Sequence, residues 1–294
     1  MSKIGFIGLG IMGHPMAGHL QAGGHPLYLV QHRSPLPPDL LEGGAVACAS
    51  AKEVAEQAEI IITMVPDTPD VEAVLFAAGG VAEGLSPGKL VIDMSSISPI
   101  DTKAFAARIG ELGCDYLDAP VSGGEVGAKG ATLTIMAGGT EAAFERARPL
   151  FERMGKNITL VGDSGAGQTC KVANQIVVAL TIEAVAEALL FSSKAGVDPA
   201  RVRQALMGGF AGSKILEVHG ERMIKRTFDP GFRIALHQKD LNLALSGARA
   251  LGLSLPNTAT AQELFNACAA HDWGNLDHSA LVKALEALAD HEVA

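Results

Sequence analysis

Residues 4–13 read IGFIGLGIMG: an apolar run of strand length breaks into a turn that sets Gly8, Gly10 and Gly13 in G-x-G-x-x-G spacing. Each glycine has a physical task in a loop that binds a dinucleotide. The first makes the tight turn, the second lets a pyrophosphate approach the backbone, and the third lets the next helix pack closely on the strand. The phosphates then rest on the positive end of that helix. Alone the spacing says little, but here it follows a strand and opens a helix, the setting the chemistry requires. The loop Gly8, Leu9, Gly10, Ile11, Met12 and Gly13 is therefore expected to hold a cofactor.

Further short apolar runs follow at 27–30, 46–48, 60–65, 90–94 and 116–119, each bounded by Gly, Pro or Asp and separated by segments of helix length. Strands buried on both faces of a parallel sheet read this way. Ser50 and Glu53 make a capping box at one helix start, and Gly23 and Gly113 stand where two helices should stop. Two later strand candidates, 132–137 and 158–161, flank a helix from about 141 to 154. The alternation predicts an α/β fold: a Rossmann-type doubly wound parallel sheet over residues 1–163. After Gly167 the stretches 168–195, 199–207, 213–225, 239–251, 257–270 and 279–290 all read as helices, so 164–294 is expected to be an all-α domain.

Composition limits the partners. The 294 residues are 48% hydrophobic, and 23 Lys and Arg against 32 Asp and Glu give a net charge of −9, which repels nucleic acid and acidic membrane surfaces where no local basic patch intervenes. A small anion remains admissible, because nearby charges govern a site. Cys48, Cys114, Cys170 and Cys268 are scattered without the close pairs of a zinc or redox motif, so reduced thiols and no metal are expected. The opening MSKIGFIGLG lacks the features of a secretory signal, and the apolar run 176–191 carries Glu183 and Glu187, so no bilayer-spanning segment is expected. A soluble cytoplasmic protein fits these readings.

The second strand ends in LVQHRS. No carboxylate stands at Gln31, His32, Arg33 or Ser34 to bind an adenosine ribose, and Arg33 suits a 2′-phosphate, which favours NADPH with NADH as the alternative. An Arg33 that faces solvent or stacks on adenine is the competing reading. Ligands in such sheets bind beyond the carboxyl ends of the strands, which adds Met64, Val65 and Pro66 and the DMSS turn with Ser96.

Reduction of a carbonyl needs a proton and a positive charge at the developing alkoxide, and a lysine supplies both. In GAGQTCKVANQ, residues 165–175, Lys171 enters an otherwise apolar helix, with Asn174 and Gln175 one turn on along the same face. A lysine snorkelling from the helix start is the plain alternative. In PVSGGEVGAKG, Ser122 with the amides of Gly123 and Gly124 suits a carboxylate nest, against a simple surface loop. Lys239, in HQKDLNLAL, reads alone as a solvated lysine at a helix end.

GFIGLGIMGHPM, DMSSISP, DAPVSGGEVGA, GAGQTCKVANQ and HQKDLNLAL follow one another over nearly the full length, and together they resemble the β-hydroxyacid dehydrogenase family, of the 3-hydroxyisobutyrate dehydrogenase-like kind. The resemblance implies an active site between a Rossmann-type and a helical domain. It also implies a small carboxylate-bearing aldehyde or hydroxyacid as substrate, and a homodimer or homotetramer associated through the helices. It puts the catalytic lysine on Lys171, its neighbouring asparagine on Asn174, and the substrate-carboxylate loop on Ser122, Gly123 and Gly124. Ser96 and Lys239 then line the cofactor and substrate pocket. Some relatives carry aspartate where this chain has His32, so their NADH preference does not transfer. The nearest rival is a sister enzyme acting on 3-hydroxyisobutyrate, succinic semialdehyde or glyoxylate; Lys171 counts against a further rival, an imine reductase, and the intact set of Lys171, Asn174 and Ser122 against a non-catalytic nucleotide-sensing or partner-binding protein.

Overall fold

The computed structural model describes residues 1–31 and 35–293. His32, Arg33 and Ser34, three of the expected cofactor residues, lie outside the described residues. The chain divides into two compact units, Met1–Lys171 and Val172–Ala294. That division falls later than the 163/164 boundary expected from the sequence, because the first turns of the long helix Ala166–Lys194 are bonded into the sheet unit.

Among the described residues of the first unit, nine strands form one sheet: β1 (Ile4–Ile7), β2 (Leu27–Val30), β3 (Val46–Cys48), β4 (Ile60–Thr63), β5 (Leu90–Asp93), β6 (Asp115–Asp118), β7 (Val121–Ser122), β8 (Leu133–Gly138) and β9 (Gly155–Gly162). The order runs β3-β2-β1-β4-β5-β6-β8-β7, with β9 beside β8. From β3 to β6 every pairing is parallel, and Phe6 lies opposite Leu29 on one side and Ile62 on the other. The sheet is not parallel throughout, as the alternation had predicted. β8 runs antiparallel to β6 and to β7, and parallel to β9. Between β7 and β8 the chain has only the helix Gly124–Lys129, whose six residues span about 9 Å, too short a crossover to return the chain along the sheet.

Alternate strand residues feed two cores. Ile60, Ile62, Leu90 and Ile92 pack with Phe6, Met16, Leu20 and Phe151. Ile61 and Val91 pack with Val54, Val71, Leu75 and Ile109 on the opposite face. Each fully buried side chain of this size contributes about 1.5–3 kcal/mol, which is why these strands read as continuous apolar runs. Helix ends follow the local rules: Ser50 accepts from the Glu53 amide, Glu53 accepts from the Ala49 amide, and Gly113 takes a positive φ of 70° past the helix Pro99–Glu111.

The second unit is helical, with Pro199–Met207, Lys214–Lys225, Ile234–Ala250, Pro256–Ala270 and Val282–Ala289 packed with the rest of the long helix. By length and composition alone the long helix would suffice to cross a bilayer, with mean hydropathy 1.9, contrary to expectation. Its Ala179, Ile182, Val185, Ala186 and Leu189 belong to the core of this unit, while Val177 and Phe191 are exposed. The helix expected from 239 begins at Ile234, so Lys239 sits in its second turn. Arg233 precedes it without a side-chain cap, so no start signal marks it in the sequence.

Candidate active site

The carboxyl ends of β1, β4, β5 and β6 form a staircase of backbone bonds. The Met64 amide donates to Ile7 O at 2.8 Å, Met94 to Thr63 O at 2.8 Å, and Ala119 to Asp93 O at 2.7 Å. Three of the expected cofactor segments leave from this staircase. The loop Gly8–Gly13 leaves β1, Met64-Val65-Pro66 leaves β4, and Ser95-Ser96 leaves β5. Ser95 ties two of them together, its Oγ accepting from the Val65 amide at 3.0 Å. Gln31 follows β2 and is exposed.

The glycines test whether a dinucleotide fits. A Cβ on Gly8, whose φ is +102°, would stand 2.2 Å from Met64 O, and one on Gly13 would stand 1.9 Å from Gly8 O. These two are required by the turn and by helix packing. Among the described residues nothing lies within 4 Å of where a Cβ on Gly10 would be, and the residue is exposed. A glycine with no protein neighbour to demand it, between two that have one, fits a backbone kept bare for a phosphate.

Ser122 closes β7, opposite Thr134 of β8. Gly123 and Gly124 follow with φ of +132° and +59°, conformations that L side chains rarely adopt, and Gly124 opens a short helix rather than a plain loop.

Lys171, the last residue of the sheet unit, is 7% exposed. The helix turn ahead of it is fixed by groups the sequence reading passed over. Asp118, at the end of β6, accepts from the Gly165 amide at 2.7 Å and from the Gln168 amide at 2.8 Å. The Gln168 side chain donates to Ser95 O at 2.7 Å and accepts from the Ile97 amide at 3.0 Å. Burial raises the Asp118 carboxyl to about 6, against the lowering effect of the two amides. Asp93 is raised too, by burial first, although Ser95 and Thr63 bond to it.

In the helical unit Asn174 Nδ2 donates to Gln175 Oε1 at 2.7 Å, and Gln175 Nε2 donates to Asp240 Oδ2 at 2.6 Å. Lys239 is no solvated helix-end lysine: its side chain is 17% exposed and its Nζ lies 3.0 Å from Asp240 Oδ1. The neighbouring carboxylate in the sequence was the available signal, and the uncapped helix start concealed it.

Comparison with known proteins agrees with this architecture. Residues 3–162 match the family model of the NAD binding domain of 6-phosphogluconate dehydrogenase, and residues 165–285 that of the NAD-binding region of NADP-dependent 3-hydroxyisobutyrate dehydrogenase. The chain is 67% identical over 292 residues to 2-hydroxy-3-oxopropionate reductase of Escherichia coli K12, covering 99% of this chain and 100% of that protein. Among solved structures, 3-hydroxyisobutyrate dehydrogenase of Mycobacterium tuberculosis with L-serine has TM-score 0.86 and 34% identity, over 97% of this chain and 99% of that one. Psf3 in complex with NADP+ and 2-OPP has TM-score 0.86 and 25% identity, over 96% and 99%. With a glycine loop that suits a dinucleotide at the head of its sheet, the chain belongs to the β-hydroxyacid dehydrogenase family of NAD(P)-dependent oxidoreductases.

Proposed function

We propose that this chain reduces 2-hydroxy-3-oxopropionate (tartronate semialdehyde) to glycerate, with NADPH preferred over NADH and Lys171 as the proton donor. The observation that carries the chemistry is a buried lysine in a helix turn bonded to the loop beyond β5. The substrate assignment rests on full-length identity to the Escherichia coli reductase. A bound nicotinamide dinucleotide supplies the hydride. The loop Gly8–Gly13, with Met64, Val65, Pro66 and Ser96 at the neighbouring strand ends, would hold it; Gln31, His32, Arg33 and Ser34 would meet its adenosine end. Arg33, with no carboxylate beside it, supports the preference for a 2′-phosphate.

Ser122 and the amides of Gly123 and Gly124 bind the substrate carboxylate through donors that need a bare backbone. As the aldehyde carbon is reduced, negative charge gathers on its oxygen. Lys171 Nζ stabilises that charge and gives the oxygen its proton, later regaining one from solvent. Asn174, one turn on, has its amide nitrogen on Gln175 Oε1, and its role in this reading is to orient the lysine or the substrate hydroxyl. Assembly as a homodimer or homotetramer, in the cytoplasm, completes this reading.

Initial rates with NADPH and NADH, against tartronate semialdehyde, glyoxylate, succinic semialdehyde and methylmalonate semialdehyde, test it. Fastest turnover is expected with the first aldehyde and NADPH; another winning aldehyde removes the substrate assignment but leaves the family. Lys171→Ala should lower kcat by about a thousandfold or more with cofactor affinity nearly intact. Near-normal kcat would remove the lysine from its role.

A further inference from the structure

We propose that Gln168 and Asp118 are positioning residues for the reaction: together they fix the helix turn that presents Lys171 relative to the loop that carries Ser96. The inference rests on the role proposed for Lys171, and every group in it belongs to the sheet unit. Gln168 is fully buried although it is polar. Both ends of its amide are used on one loop: Nε2 donates to Ser95 O, and Oε1 accepts from the Ile97 amide. Those two groups flank Ser96 on either side. Asp118 bonds the Gly165 and Gln168 amides, so it caps the long helix from a strand about fifty residues earlier in the chain.

The backbone leaves the helix start no slack. A Cβ on Gly167 would lie 2.4 Å from Met136 O and 2.6 Å from Asp118 O, and one on Gly138 would lie 2.7 Å from both Asp118 Oδ1 and the Gly167 amide. The helix is thus seated directly on the ends of β6 and β8. Lys171 follows Gln168 by three residues, which places it about 4.5 Å further along the axis on a neighbouring face. Four hydrogen bonds at the helix start therefore set where its side chain begins, and a displacement of about 1 Å there costs about a hundredfold in rate.

The test is a double-mutant cycle on the full chain. Gln168→Met keeps the volume and removes both side-chain bonds; kcat should fall about a hundredfold while KM for NADPH stays within about threefold. In the Lys171→Ala background the same change should lower the residual turnover no further, since the group it positions is gone. Gln168→Glu keeps the acceptor for Ile97 and, once protonated, donates to Ser95 O as the amide did, so it should recover part of kcat as pH falls; it serves if the methionine variant does not fold. Ser50→Ala, which removes a cap elsewhere in the sheet unit, should lower the urea midpoint without lowering kcat. Near-normal kcat for Gln168→Met beside an inactive Lys171→Ala overturns the positioning role. Equal losses in both backgrounds overturn it too, as they mark a purely structural residue. An active Lys171→Ala removes the reading beneath it.

Discussion

Asp118 in the sheet unit and Asp277 in the helical unit are both sealed from solvent, 0% and 1% exposed, and both accept from backbone amides. Asp118 has the amides of Gly165 and Gln168. Asp277 has those of Gly231, Phe232 and Ser279, the Ser279 hydroxyl, Arg222 Nη1 at 2.9 Å and His219 Nδ1 at 3.5 Å. Burial pushes both carboxyls up. For Asp118 burial prevails and the group rises to about 6; for Asp277 burial is overcome, by His219 and Ser279 among its partners, and the carboxyl is held well below its usual range. Dipoles alone do not repay the desolvation of a carboxylate, whereas basic side chains added to the same kind of amide set do.

The largest consequence concerns charge removal. Asp277→Asn leaves Arg222 without its buried partner and turns an amide NH2 towards backbone donors, so the helical unit should lose about 3–5 kcal/mol at pH 7. Urea unfolding followed by the single tryptophan, Trp273, reads that unit. Asp118→Asn, at a carboxylate bonded by the Gly165 and Gln168 amides, should cost distinctly less, read by the sheet unit's amide exchange. Equal losses would break the comparison.

Next comes pH. The native Asp118 carboxyl takes a proton near pH 6, but the unfolded chain takes it only near 3.8, so the native state binds more protons between those values. Asp118 should therefore stabilise the sheet unit as pH falls from 7 to 4, by at most about 3 kcal/mol, and Asp118→Asn should remove that share of the rise and leave the share of Asp93, which burial raises too. The helical unit should move oppositely. His278 is held well below the imidazole range, by burial first and by His237 and His219 next, so its native ring stays neutral while the unfolded chain protonates below about pH 6.5. Stability there falls on acidification, and Asp277 adds to the loss below about pH 4. Parallel curves from the two units would refute the assignment of opposite shifts.

Much of the architecture was legible because it is written in local patterns. The glycine loop, the apolar strands and the Ser50 cap each lie within a few neighbouring residues, and the structure has them where those residues stand. What escaped was set by pairings across long stretches of chain. The antiparallel return of β8 depends on a six-residue helix, and nothing near residue 133 records strand direction. Gln168 meets Ser95 and Ile97 across more than seventy residues, and Asp277 meets Arg222 and Gly231 across more than forty. No spacing rule connects such partners. Lys171, Asn174 and Ser122 stood out by residue type in an unexpected setting; Gln168 and Asp118 looked ordinary, and only their burial and bonding mark them.

The smallest effect probes how Asp277 divides its support. Ser279 Oγ donates to Asp277 Oδ1 at 2.6 Å, the shortest of that carboxylate's hydroxyl and amide bonds. Ser279→Ala removes this one donor but leaves the Ser279, Gly231 and Phe232 amides and Arg222 in place. A hydrogen bond to a charged group contributes about 1.5–3 kcal/mol, and the remaining donors make the lower end the expectation, about 1.5 kcal/mol by the Trp273 transition. Because the cationic side chain stays, the carboxylate should remain ionised and the acid limb of the stability curve should move up only slightly. A loss as large as that of Asp277→Asn would mean that the hydroxyl, and not the ion pair, anchors the group, and the contrast with Asp118 would then rest on one serine in place of a cation.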